Sequence, residues 1–268
     1  MNDPPGYALA WSDEFDGPAG SPPDPGTWQP ETGGHGWGNA ELQYYTGGTE
    51  NAWLDGAGHL VIEARRLDPG ARRHYGGCEY SSARLTSKDH VTLRYGVVRV
   101  RMRLPGGRGI WPAFWMLGQD IEEAGWPRCG EIDVMENFGA DPALVHGAVH
   151  GPGYSGGAGI SAACRAGSSL SGGFHVYSVA WQPGRIRWYL DGQRYAEVTP
   201  GDLHGRPWVF DHDFFLLLNV AVGGTAAPAP DGSVVFPRRM LVDYVRVYAR
   251  PAGSAGLSAR PHWLRREM

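Results

Sequence analysis

The chain has 268 residues, of which 42% are hydrophobic, enough for one large domain with a sizeable core. Its 24 Lys+Arg against 28 Asp+Glu leave it near neutral, which argues against nucleic acid or an anionic membrane as partner. The 41 Gly and 21 Pro ask for many turns, and 11 Trp with 12 Tyr complete an all-β composition. Cys78, Cys129 and Cys164 have no CxxC spacing, so zinc is not indicated and at most one internal bridge can form; buried free thiols are the expectation.

Residues 1–10 read as an N-terminal arm, and Asn2, Asp3, Pro4 and Pro5 do not make a secretory signal. The domain opens at Trp11-Ser12-Asp13-Glu14-Phe15-Asp16-Gly17 and passes through a Pro/Gly loop over 18–30. The run Gly36 to Thr46, polar and aromatic with little apolar periodicity, suits a loop lining a groove, or equally a surface loop around a buried Trp. Asp55 to Ala64 is a turn feeding a strand, and Tyr80 to Ser87 is a strand carrying Arg84.

Val98, Val100, Met102 and Leu104 alternate with Arg99, Arg101 and Arg103, a strand with one buried and one wet face. In the next strand, Ile110 to Leu117, Trp111 and Trp115 are four apart and share a face. On chemistry alone they fit either a core or a platform on which a sugar ring could stack. Trp126-Pro127-Arg128-Cys129 leads into the acidic strand treated below, and Leu144 to Tyr154, which carries His150, is its neighbour with an exit loop. Residues 151–173, rich in Gly, Ser and Ala, read as a long loop. Phe174–Trp181, Arg185–Leu190 and Arg194–Val198 are strands joined by Pro183-Gly184 and Asp191-Gly192 turns. Phe214 to Val222 is a continuous apolar strand, too short to span a membrane, Met240 to Tyr248 closes the domain, and 251–268 read as a tail.

The acidic strand is Gly130-Glu131-Ile132-Asp133-Val134-Met135-Glu136-Asn137. Glu131 and Asp133, two apart, share a face, whereas Glu136 at i+5 should point the other way. One extra residue, a β-bulge around Val134 and Met135, would return it to that face. The two glutamate backbones would then stand roughly 13 Å apart. Long side chains leaning together could close this to the ~5–5.5 Å of a retaining glycosidase. Asp133 between them is placed to hold Glu131 ionised, while like-charge crowding keeps a proton on Glu136.

This motif resembles the signature of glycoside hydrolase family 16, in the longer form with an additional residue before the last Glu, typical of laminarinase-like endo-β-1,3-glucanases; the similarity runs from about Trp11 to Tyr248. The resemblance implies an all-β fold, a β-jelly-roll sandwich of two antiparallel sheets with a concave substrate cleft, as one catalytic domain over 11–250. It implies Glu131 as nucleophile, Asp133 as its assistant and Glu136 as acid/base. It also implies substrate contacts from Asn39, Arg84, Trp111, Trp115, Trp126 and His150. For Arg84 the bland alternative is a surface arginine, and for His150 a structural histidine.

The implied activity is retaining endo-hydrolysis of β-1,3-glucan by a monomer acting outside the cell, with no cofactor for catalysis. A structural calcium could be held by Glu14, Gly58 and Asp243. Thr225 to Pro230, where the laminarinase pattern carries an aromatic segment, departs from the family and leaves linkage preference open. The alternatives are a β-1,3-1,4-glucanase or other β-glycan hydrolase of the same family, and a non-catalytic β-glucan-binding module. Retention of all three acids speaks against the last.

Overall fold

A computed structural model describes residues 3–251. Two sheets face each other. The ten-stranded one runs, edge to edge, through Gln193–Val198, Arg185–Leu190, His175–Gln182, Gly96–Arg103, Arg238–Ala249, Leu60–Arg66, Tyr80–Ser82 and Gln43–Tyr45, with Ala8–Asp13 beside Arg238–Ala249 and Ala52–Leu54 beside Leu60–Arg66. The eight-stranded one runs through Ile160–Arg165, Leu144–His150, Glu131–Glu136, Ile110–Gly118, Phe214–Val222, Arg84–Thr86 and Gln29–Glu31, with Thr92–Leu93 against Phe214–Val222. Pairing is antiparallel except between Gln43–Tyr45 and Tyr80–Ser82. This is the jelly-roll sandwich that the resemblance implied.

Alternation builds the interior. Val98, Val100 and Met102 are buried between the sheets, while Arg99 and Arg101 are half-buried and Arg103 exposed on the outer face. Phe214, Leu216, Leu218, Val220 and Val222 enter the same core. Phe215 and Leu217, on the opposite face of that strand, pack with Leu117 and Cys129 in a second cluster, which is why the strand reads as apolar on both faces but for Asn219. Each such side chain, fully buried, contributes roughly 1.5–3 kcal/mol.

Three expectations need adjustment. The arm drawn over 1–10 already contains the start of a strand, since Ala8–Asp13 pairs with Arg238–Ala249. The stretch 151–173 is not all loop: Ile160–Arg165 adds an edge strand beside Leu144–His150. Its Ser161, Ala162 and Ala163 are too small to print a hydrophobic period. The tail over 251–268 lies, beyond Pro251, outside the described residues. Cys78, Cys129 and Cys164 are all free, and only Cys129 is fully buried. Among the described residues no helix is long and apolar enough to cross a membrane.

Candidate active site

The acidic strand departs from regular pairing where the sequence asks it to. Against Ile110–Gly118, Met135 pairs with Phe114 and Asp133 with Trp115, leaving Val134 as the extra residue. Against Leu144–His150, Asp133 pairs with Ala148 and Glu136 with His146. Ile132, Val134 and Met135 go into the core, and Glu131, Asp133 and Glu136 are left together on the opposite face. Gly130 feeds the strand at φ +73, and a Cβ there would sit 2.9 Å from the Val209 carbonyl oxygen, so glycine is required at this entry.

Each glutamate has an indole donor. Trp126 Nε1 donates to Glu131 Oε2 at 2.7 Å, and Trp111 Nε1 to Glu136 Oε1 at 2.9 Å. His150 Nε2 lies 3.0 Å from Asp133 Oδ2 and 3.8 Å from Glu131 Oε1. Burial, followed by the charge of Asp133, raises Glu131 to about 8; burial raises Glu136 to about 7 against the opposing indole bond. Asp133, whose side chain is 4% exposed against 17% for Glu131, is also raised by burial and by the Glu136 charge.

The expected division, Glu131 ionised and Glu136 protonated, is therefore not imposed by environment alone. Three buried acids cannot all ionise at neutral pH, and the proton count belongs to the trio. The charge of Asp133 is among the causes that raise Glu131, and the charge of Glu136 among those that raise Asp133, so ionising one acid discourages the next.

The neighbours form a wall. Trp111 is only 9% exposed and packs with Phe138, Ala221 and Ala227, so it serves as a backstop and donor to Glu136 more than as an open platform. Ala227 belongs to the segment that departs from the family pattern, and Thr225 N–H donates to the Asn39 carbonyl at 2.7 Å. Asn39 Nδ2 in turn donates to Glu41 Oε1 at 3.3 Å. Arg84 is sandwiched, its guanidinium carbon 4.6 Å from the Trp37 ring centroid and 4.8 Å from that of Trp115, with Glu31 as ion-pair partner. It is no free surface arginine. Trp126, 49% exposed, stands at the opposite end beside the His150 ring.

Sequence reasoning passed over three residues. Asn219 accepts from Trp115 Nε1 at 2.8 Å and donates to Tyr45 Oη at 3.1 Å, which continues to Glu41 at 3.0 Å. A single Asn inside Phe214–Val222 was the signal for it. Trp37 and Phe138 were visible only as aromatics in loops.

Two of the calcium ligands that the resemblance implied, Glu14 and Asp243, are engaged by arginines. Both Glu14 oxygens accept from Arg246, at 2.8 and 2.7 Å, which also holds its carboxyl below the usual range. Asp243 Oδ2 accepts from Arg101 at 2.6 Å. Guanidinium groups already meet the charge of the two acids, so Glu14, Gly58 and Asp243 as they stand do not fit a calcium site. Among the described residues, the group of acid and imidazole atoms that converges is Glu131, Asp133 and His150, all within 4.8 Å.

Comparison with known proteins places the chain by family and fold. The family model described as "Glycosyl hydrolases family 16" matches residues 39–230. A beta-glucanase of Rhodothermus marinus is 44% identical over 257 residues, covering 91% of this chain and 86% of the relative. The laminarinase catalytic domain of Thermotoga maritima superposes with a TM-score of 0.83 at 48% identity, covering 90% of this chain and 98% of that one. The endo-beta-1,3-glucanase of Pyrococcus furiosus gives 0.84 at 45% identity, covering 91% and 94%.

Proposed function

Because the chain belongs to glycosyl hydrolases family 16, we propose that Glu131, Asp133 and Glu136 carry out a double displacement on β-1,3-glucan. The enzyme is a glycoside hydrolase, an endo-β-1,3-glucanase of the laminarinase type. The observation that carries the residue assignment is the bulge, which gathers the three acids on one face and gives each glutamate its own indole donor.

In the first step the Glu131 carboxylate attacks the anomeric carbon as Glu136 gives its proton to the glycosidic oxygen. The C1–O bond breaks and a glycosyl ester forms on Glu131. Water then loses a proton to Glu136 and attacks the same carbon, which frees Glu131 with retained configuration. Asp133, the most deeply buried of the three and raised by burial and by the Glu136 charge, is the group that takes up the proton when Glu131 attacks as the carboxylate.

No cofactor takes part. All three acids come from one strand, which supports a monomer as the working unit. A polymeric substrate that cannot enter a cell supports action outside it.

The test is reducing-sugar release from laminarin, with barley mixed-linkage glucan in parallel, for the wild type, Glu131→Gln and Glu136→Gln. Laminarin should be cut, and each variant should lose about three orders of magnitude or more. A variant retaining a tenth of the wild-type rate would remove its residue from the mechanism.

A further inference from the structure

The bulge that brings Glu136 round to Glu131 must be held in place, and the group that reaches it comes from the opposite sheet. We propose that Trp188 is a positioning residue for catalysis. Passing through the gap left by Gly147, it donates its indole N–H to the Asp133 carbonyl and so holds the bulge in the form that presents Glu136.

The register locates the gap. With Asp133 opposite Ala148 and Glu136 opposite His146, Gly147 alone faces the two residues Val134 and Met135. A bulge disrupts the local ladder, and a carbonyl turned toward a dry core then needs a donor from elsewhere. Trp188, on the strand Arg185–Leu190 of the ten-stranded sheet, is wholly buried, and its Nε1 lies 2.7 Å from the Asp133 carbonyl oxygen.

The indole occupies the space that a side chain at 147 would need. A Cβ on Gly147 would stand 2.4 Å from Trp188 Cδ1, 2.6 Å from its Nε1 and 2.8 Å from Tyr195 Oη. Gly147 and Trp188 therefore work as a pair: the missing side chain opens the sheet, and the ring enters it.

The catalytic consequence follows from strand periodicity. Side chains alternate with a period of two, so loss of the single extra residue would turn Glu136 from the cleft face to the core face. Trp188 touches no substrate. It acts through the backbone of Asp133, the residue between the two glutamates.

The inference rests on Glu136 being the acid/base, and the experiment separates the two claims. Trp188→Phe keeps an aromatic ring and removes the N–H. Its kcat/KM, which reports the first displacement, is compared on a laminari-oligosaccharide and on a dinitrophenyl β-laminaribioside, whose leaving group needs no proton. Glu136→Ala is the reference.

A displaced acid costs rate only where the leaving group needs protonation. Trp188→Phe should therefore lose ~10-fold or more on the oligosaccharide and less than about 3-fold on the aryl glycoside. An equal loss on both substrates, or no loss, with the reference showing the split, makes Trp188 an ordinary core residue and overturns the proposal. Absence of the split in Glu136→Ala instead refutes the acid/base assignment, and the proposal falls with it. Should Trp188→Phe not fold, Gly147→Ala, which retains the indole but drives it off the carbonyl, carries the same expectation.

Discussion

Trp111→Phe isolates one hydrogen bond of the acid/base. The substitution removes the Nε1 donor 2.9 Å from Glu136 Oε1 and leaves a ring to pack against Phe138 and Ala227. The bond favours the charged form: a hydrogen bond to an ionised group contributes ~1.5–3 kcal/mol, against ~0.5–1.5 for a neutral pair. The difference, about 1 kcal/mol, corresponds to ~0.7 of a pH unit. Glu136, held at about 7 with the indole in place, should therefore keep its proton to higher pH without it. The acid must be protonated for the first step, so loss of that proton sets the basic limb of kcat/KM. The limb should move up by roughly half to one pH unit. The assay is a pH profile of kcat/KM on a laminari-oligosaccharide from pH 4 to 9. An unmoved or downward-shifted basic limb would refute the argument that this indole stabilises the Glu136 carboxylate.

Two further outcomes follow from the same geometry. Glu131 is raised in the fold from 4.5 to about 8, so its contribution is fully present below about 4.5 and is lost as pH rises through about 8. Glu131→Gln removes this penalty. Relative to the variant, the wild type should lose ~1–3 kcal/mol between pH 5 and pH 8, a range discounted for the shared proton and for cleft water at a partly exposed side chain. Urea unfolding at the two pH values measures it, and a difference independent of pH would contradict the burial argument. Arg84→Ala removes the cation between the Trp37 and Trp115 rings and strands Glu31. Because the ring and ion-pair contacts of Arg84 are with Trp37, Trp115 and Glu31 rather than with the three acids, KM should rise ~10-fold with kcat within about 3-fold; steady-state kinetics on laminarin that gave the reverse split would place Arg84 at the chemistry instead.

The order of apolar and polar residues was enough to assign the two faces of several strands. Val98, Val100 and Met102 against the three arginines is a period-two pattern that any half-buried strand must show, and it needs no knowledge of the partner. The bulge was legible for the same reason, since three acids spaced two and then three apart can share a face only if one residue is extra. The resemblance then supplied roles for them.

What tertiary structure alone decided lies wherever one side chain's meaning depends on a distant one. Arg84 became a sandwiched cation because Trp37 and Trp115 arrive on either side of it from a loop and another strand. The arginines that occupy Glu14 and Asp243 stand on strands far from them in the chain, so a ligand set carried over by resemblance had no means of registering that competition. The proton shared by Glu131, Asp133 and Glu136 depends on burial and mutual distance, quantities created only when the sheets close. Trp188 and Gly147, 41 residues apart in the chain, meet at the bulge because the two sheets stack with the indole directly behind the acidic strand. Local sequence determines the pleat and its faces; the packing of one sheet on the other determines which side chain stands behind each carboxylate.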